Sequence, residues 1–407
     1  MNNTKCSLRG IVGKDLGERK IRKLAKQIVY YINANKYMKE VIIGKDNRQS
    51  SDYILSVIEG VLLANGISVY VIGVCTTPQL VFLTKKFKFG LGIMITGSHN
   101  SYEYNGFKIY NKLGDSIELE ECKTKNYKSI NYGSVIDIGK YKELYLRELK
   151  NRLNPNKIKC VFDCANGSSL EVVRKIFPKQ QIIGVDTSGK ETNNGCGSEN
   201  LDKIKSICKR NKKIGFSFDG DGDRVIAIDE RGNVIDGDKI LYILASHRLN
   251  FGNKVVGTKI SGLGLEISLR RLGVGLIREK VGAKYIADRM NMENIVLGGE
   301  SCGHIFLFSK GVSDGVSVAI ELLNILNRTG LTFKQLLSGY KQMYQINKSI
   351  NIEDAKSLSE FEEVTNNMRV IVRKSETEAK IRIFIEGNDK FIVDKKYEDL
   401  IKEYINN

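Results

Sequence analysis

The chain has 407 residues, 42% hydrophobic and 27% charged, which is the make-up of a soluble globular protein with about two to four domains. No uncharged apolar run reaches the roughly 18 residues a membrane span needs, and the opening stretch Met1 to Asp15 lacks an apolar leader core, so the expected location is the cytoplasm, with no membrane partner. The formal net charge of +17 comes from Lys and Arg spread along the whole chain; a solvated basic surface is the first reading, steering of anionic substrates the second, and specific nucleic-acid binding a distant third.

In chain order, apolar periodicity predicts a helix over Arg19 to Asn35 and a strand over Val41 to Gly44. A helix over Ser51 to Asn65, a strand over Val69 to Val74 and a further helical stretch follow. Gly90 to Ser98 reads as a buried strand running into a loop. The polar stretch Asn126 to Lys140 reads as a linker, followed by a helix over Tyr141 to Arg152. A second α/β unit opens at Cys160 and runs through the strand, acidic loop and strand of Phe216 to Asp229. A third begins near Asp236 with a helix, then a strand over Val255 to Ile260, a helix around Leu265 to Leu272, a strand and loop over Ile295 to Phe308, and a helix over Gly315 to Leu326. From about Lys348 the pattern predicts a helix, two β-rich runs (Met368 to Lys374 and Lys380 to Gly387) and a terminal helix. The eight cysteines include no Cys-x-x-Cys pair and read as free thiols; with only three histidines, a structural zinc site is not expected.

Four loops carry chemistry. In Asp219-Gly220-Asp221-Gly222-Asp223-Arg224, three carboxylates at alternate positions, with glycines that allow a tight bend, can wrap one hard divalent cation. An EF-hand is the rival reading, but Arg224 stands where that loop needs glycine and an apolar strand follows at once. Thr96-Gly97-Ser98-His99-Asn100 places a serine at the end of a buried strand, as a nucleophile would be, and the nearby Lys108 offers an amine for acid or base work. Gly299-Glu300-Ser301-Cys302-Gly303-His304 has the short polar groups that suit sugar hydroxyls. Arg373-Lys374-Ser375-Glu376-Thr377, with Lys380 and Arg382 behind it, has donors that suit a phosphate, although taken alone it reads as an exposed charged strand. Gly262-Leu263-Gly264 lacks the third glycine of a dinucleotide fingerprint.

Together and in this order, the four loops resemble the α-D-phosphohexomutase family, whose loops read T-x-S-H-N-P, D-G-D-G-D-R, G-E-x-S-G-H and R-x-S-G-T-E-P. The resemblance implies an α/β fold of four domains around a central cleft: three similar α/β domains (1–135, 136–235 and 236–345) and a small C-terminal α+β domain (346–407). It also implies an intramolecular phosphotransferase that interconverts sugar 1- and 6-phosphates through a phosphoserine and a bisphosphorylated sugar.

On matching positions Ser98 would be the phosphoserine. One Mg2+ would be held by Asp219, Asp221, Asp223 and a phosphate oxygen on Ser98, with sugar 1,6-bisphosphate as intermediate and activator. The resemblance places Arg224 and Lys280 near the moving phosphoryl group, with Lys108 and His304 as acid/base candidates. Glu300, Ser301 and Cys302 would meet the sugar, and Arg373, Ser375, Thr377 and Arg382 the phosphate that does not react. The implied partner is a phosphosugar, and the implied assembly a monomer or homodimer.

Ser101, Cys302, Glu376 and Ala379 depart from the family pattern, and Glu376 puts a carboxylate where phosphate should bind. A catalytically impaired, phosphosugar-binding relative is therefore an alternative. Gly195 to Ser198, Gly237 to Ile243 and Gly264 to Glu266 resemble the branch acting on glucosamine phosphate, whereas Thr96 to Asn100, Tyr104 to Lys108 and the Arg9-Gly10-Ile11-Val12-Gly13 opening resemble the branch acting on mannose and glucose phosphates. The former cover more of the chain, so glucosamine phosphate is expected first and the hexose phosphates second.

Overall fold

The computed structural model describes residues 9–119, 131–155, 157–307, 311–351, 361–365, 368–374 and 380–405. The first unit runs β1 (Arg9–Ile11), α1 (Glu18–Ala34), β2 (Glu40–Lys45), α2 (Ser50–Ala64), β3 (Ser68–Val74), α3 (Thr77–Phe87), β4 (Leu91–Ile95), β5 (Tyr104–Asn111), β6 (Ser116–Ile117) and β7 (Val135–Asp137). The second holds α4 (Lys142–Arg152), β8 (Cys160–Asp163), α5 (Ser169–Ile176), β9 (Gln181–Ile183), α6 (Asp202–Asn211), β10 (Ile214–Phe218), β11 (Val225–Ile228) and β12 (Val234–Ile235). The third comprises α7 (Gly237–Arg248), β13 (Lys254–Thr258), α8 (Leu263–Arg271), β14 (Gly275–Glu279), α9 (Ala283–Glu293), β15 (Leu297–Gly299), β16 (Ile305–Leu307), α10 (Gly315–Thr329) and α11 (Phe333–Leu336). The last has β17 (Tyr344–Asn351), β18 (Phe361–Val364), β19 (Met368–Lys374), β20 (Lys380–Gly387) and α12 (Lys390–Ile405).

The first sheet is ordered β1-β5-β4-β2-β3-β7 with β6 on β5; the second β12-β11-β10-β8-β9; the third β14-β13-β15-β16; and the fourth β17-β20-β19-β18. One pattern recurs in the first three. Parallel strands form the centre, and one of them then meets its antiparallel neighbour across a short loop: β4 to β5, β10 to β11, and β15 to β16. Those three connections carry the Ser98 loop, the aspartate loop and the Glu300–His304 loop. Loops at the carboxyl ends of parallel strands are where α/β sheets place ligands, because backbone and side chains converge there without sheet pairing to satisfy. The last three residues of β10 are phenylalanine, serine and phenylalanine, all buried, so the aspartate loop leaves a rigid strand.

The second and third units share one apolar core, in which Phe162, Phe216 and Phe218 meet Val316, Ile320 and Leu323 of α10. The C-terminal sheet keeps its own, built on Val370, Val372, Ile383, Ile385, Val393 and Leu400. Among the described residues no helix is long and apolar enough to cross a membrane.

Two expectations change. Val135–Asp137, inside the stretch read as linker, pairs in parallel with β3 and extends the first sheet. The helix expected from about Lys348 is not seen where the chain is described. Tyr344–Asn351 is a strand paired along its length with β20, Phe361–Val364 is a strand beside β19, and 352–360 lie outside the described residues.

Candidate active site

The Ser98 loop is clamped from below. Thr96 Oγ1 donates to Asp46 Oδ2 (2.7 Å) and accepts from the Ser98 N–H (2.8 Å). Arg48, fully buried, donates through Nη2 to the carbonyls of Ser98 (2.8 Å) and Asn100 (2.7 Å), and through Nη1 to those of Tyr104 (3.0 Å) and Ser101. Its Nε pairs with Asp46 (2.9 Å), which compensates its buried charge. From the second unit, Asn193 Nδ2 reaches the same Ser98 and Asn100 carbonyls at 2.7 and 2.8 Å. Under this clamp Ser98 adopts φ = +52°, a left-handed conformation that a non-glycine residue keeps only when its surroundings hold it there. A Cβ on Gly97 would stand 2.5 Å from the Tyr104 carbonyl, so the turn needs glycine.

The serine hydroxyl is thereby aimed across the boundary between units, where Ser98 Oγ donates to Asp219 Oδ2 at 3.0 Å. Gly220 makes this approach possible, since a Cβ there would sit 2.7 Å from the Ser98 carbonyl oxygen. Asp219, Asp221 and Asp223 are all buried and offer oxygens within 4.8 Å of one another. Asp221 accepts from Thr77 Oγ1 and from Lys108 Nζ (2.6 Å), and Asp223 also accepts from Lys108. Burial, then Asp223 and Asp221, push the Asp219 carboxyl well above the ordinary range. Burial works against the Lys108 ammonium, but Asp221 and Asp223 outweigh it and hold its pKa above the ordinary value.

The donor set fits a hard divalent cation. Besides the three converging carboxylates, Asp221 Oδ1 and Asp223 Oδ1 are buried without a hydrogen-bond partner, a cost that an oxygen-seeking cation removes.

His304 closes the other side. Arg224 Nε donates to His304 Nε2 (2.9 Å), so the ring proton belongs on Nδ1, which faces Ser313 Oγ at 2.9 Å and Asp223 Oδ1 at 3.5 Å. Burial, then Arg224 and Lys108, hold this imidazole neutral, far below its usual pKa. Arg224 also pairs with Glu199 (2.8 Å). Glu300 Oε1 accepts from the Gly282 N–H (3.0 Å), and burial raises its pKa against the opposing pull of Arg224. Beside it, burial pushes the Cys302 thiol up to about 11, so it stays protonated near neutrality and can only donate weakly where the family has a serine. Ser301 lies at the edge of the loop, its carbonyl accepting from the Gly237 N–H (2.9 Å).

Ser98, Lys108, Arg224, His304, Arg9 and Lys284 line one cavity of about 270 Å³. Lys280 does not line it; it is exposed, with its ammonium 5.7 Å from the Tyr285 ring centroid. Arg373 and Arg382 sit directly opposite each other on β19 and β20. Arg373 is also close enough to Glu300 to lower its pKa. Ser375, Thr377 and the troubling Glu376 lie outside the described residues.

Sequence reasoning missed Arg48, Asn193, Thr77, Ser313 and Lys284. It passed over Arg9 although the Arg9-Gly10-Ile11 opening was in view. A signal existed for Arg48, in the Asp46-Asn47-Arg48 run that directly follows β2.

The model of phosphoglucomutase/phosphomannomutase α/β/α domain I matches residues 4–130, and that of domain III matches residues 236–344. A phosphoglucosamine mutase of Dictyoglomus turgidum is 36% identical over 98% of this chain and 94% of its own length. One from Dictyoglomus thermophilum is 37% identical over 94% and 90%. A phosphoglucomutase/phosphomannomutase family protein of Burkholderia thailandensis superposes with a TM-score of 0.82 at 23% identity, covering 97% of this chain and 95% of that one. The N-acetylphosphoglucosamine mutase of Aspergillus fumigatus, solved with GlcNAc-6P and magnesium, superposes at 0.61 with 17% identity, covering 88% and 80%.

Proposed function

As the chain belongs to the α-D-phosphohexomutase family, we propose that it interconverts glucosamine 6-phosphate and glucosamine 1-phosphate through a phosphorylated Ser98. The observation that carries this reading is the 3.0 Å contact between the Ser98 hydroxyl and the aspartate cage, made by two loops far apart in the chain. The names of the relatives favour glucosamine phosphate over the hexose phosphates. The four sheets suit a division near 1–135, 136–235, 236–345 and 346–407. A cytoplasmic monomer or homodimer is part of the same proposal.

Asp219, Asp221, Asp223 and a phosphate oxygen on Ser98 would hold one Mg2+. Bound there it would neutralise phosphoryl charge and take Asp221 and Asp223 over from Lys108. In the forward half-reaction a sugar hydroxyl oxygen bonds to phosphorus, the bond from phosphorus to Ser98 Oγ breaks, and the hydroxyl proton must leave. Lys108 is an ammonium while it pairs with Asp221 and Asp223; it would release a proton to solvent as those carboxylates turn to the cation, and its amine would then take the hydroxyl proton. His304, neutral and with Nε2 engaged by Arg224, acts mainly by fixing the guanidinium that faces the phosphoryl oxygens. Glu300 and Ser301 would hold the sugar, with Cys302 a weaker donor than serine. Arg373 and Arg382, together with Ser375 and Thr377, would grip the distal phosphate while the sugar 1,6-bisphosphate turns over and returns its other phosphoryl group to Ser98. Lys280 would join only through a movement of the segment before α9. The net positive charge draws anionic substrates toward the cavity.

Assays with glucosamine, glucose and mannose phosphates side by side, with Mg2+ and a trace of sugar 1,6-bisphosphate, test the reading. The expected result is fastest turnover of glucosamine phosphate. No turnover of any of the three would favour the impaired, binding-only alternative.

A further inference from the structure

Behind the reaction centre lies a second cavity, of about 430 Å³, that the proposed reaction does not use. It forms where α3, α4, β16 and the segment leading into α10 meet, and Pro78, Val81, Phe82, Leu149, Ile305 and Leu307 make it mainly apolar. That size and character are typical of small-molecule sites, in which a few polar groups orient an apolar body.

The polar groups here are unevenly distributed. At the buried end, Asp314 Oδ2 is already occupied, accepting from Tyr145 Oη (2.9 Å) and Ser317 Oγ (2.7 Å). Arg152 Nη1 donates to Ser317 Oγ (3.0 Å), and its other N–H groups have no acceptor among the described residues. The exposed Lys85 and Lys86 stand at the mouth, with Lys86 Nζ 5.9 Å from the Phe82 ring centroid. Against these three cations only the exposed Glu148 offers a carboxylate not already engaged by Tyr145 and Ser317. An apolar floor under a cationic rim selects a ligand with an apolar body and an anionic end.

The walls adjoin the reaction centre. Pro78 follows Thr77, which bonds Asp221; Ile305 follows His304; and Val312 and Asp314 flank Ser313, the partner of His304 Nδ1. The Gly315 N–H at the start of α10 donates to the Gly222 carbonyl of the aspartate loop (3.1 Å). We propose that this cavity is a regulatory site for a small molecule with a ring-sized apolar body and one anionic group, and that its occupancy alters the geometry of the aspartate loop.

Titration with anilinonaphthalene sulfonate as the probe tests the site. Saturable one-to-one binding is expected, weakened about tenfold by the surface double variant Lys85→Glu/Lys86→Glu, or about 1.4 kcal/mol. Val81→Phe should fill the cavity and abolish binding; if it fails to fold, the lysine pair decides. Unchanged binding in folded variants, or uptake that never saturates, overturns the site. Saturating probe should change wild-type turnover at least about twofold, and the probe concentration for half of that change should be about tenfold higher in the lysine double variant. Unchanged turnover in the saturated wild type overturns the coupling. The binding measurements need no activity, so their failure is separable from a failure of the proposed reaction.

Discussion

Around Ser98, three buried aspartates converge within 4.8 Å of one another, whereas at the N-terminal end of α8 two buried carboxylates, Asp238 and Glu386, lie against backbone N–H groups. Asp238 Oδ2 accepts from the Gly262 N–H at 2.6 Å and Glu386 Oε1 from the Leu263 N–H at 2.7 Å, joining the third unit to the C-terminal sheet. Helix N-terminal N–H groups carry partial positive charge, so this second pair is largely answered by the fold itself. The remaining oxygen of Asp238 has no hydrogen-bond partner, and burial, then Asp236, push this carboxyl up to about 7. Here a proton can meet the cost of a lone buried oxygen once the pH falls below about 7. At Ser98 it is shared among Lys108, Arg224 and room for a cation. Buried acid alone therefore does not mark a site. Convergence with side-chain cations, beside an aimed hydroxyl, is what sets the candidate site apart.

Breaking the reactive side should have the largest effect. Ser98→Ala should lower turnover at least about a thousandfold with the unfolding midpoint unchanged, since it removes the proposed nucleophile and leaves the clamp in place. Asp221→Asn comes next: the rise in unfolding temperature on adding Mg2+ should disappear, with turnover lower by about a hundredfold. Arg48→Ala removes the clamp, and leaving Asp46 buried without its partner should cost about 3–5 kcal/mol in denaturant unfolding. Arg48→Lys should rescue little of it, because a single ammonium cannot span the carbonyls the guanidinium holds.

The structural side should give the smallest effect, and one that depends on pH. A carboxyl whose pKa is raised on folding contributes stability below its ordinary value of 3.8 and loses it as pH climbs through about 7. Wild-type unfolding temperature should therefore fall between pH 5 and 8 relative to Asp238→Asn, by roughly a few degrees. The variant keeps an acceptor for the Gly262 N–H. Parallel melting curves at both pH values would erase the contrast between the two clusters.

The three loops of the reaction centre were legible in the sequence because glycines and short polar residues at fixed spacing leave few conformations open. Their supports were not. Arg48 meets the Ser98 carbonyl across 50 residues, Asn193 across 95, and Thr77 meets Asp221 across 144, and no local pattern encodes such contacts. The helix expected from Lys348 failed for a related reason. Tyr344–Asn351 is an edge strand with mostly exposed side chains, specified by its pairing with β20 and not by apolar alternation of its own. Val135–Asp137 was hidden likewise, as three half-exposed residues added to a sheet edge. The strong central strands β2, β4 and β10, buried along nearly their whole length, were read without difficulty.

The most direct test of the account is to incubate the protein with phosphoryl-labelled glucose 1,6-bisphosphate and Mg2+, and then map the label by peptide. The label should sit on Ser98 alone and leave when unlabelled glucosamine 6-phosphate is added. A label on any other residue, or wild-type turnover by Ser98→Ala, would contradict it.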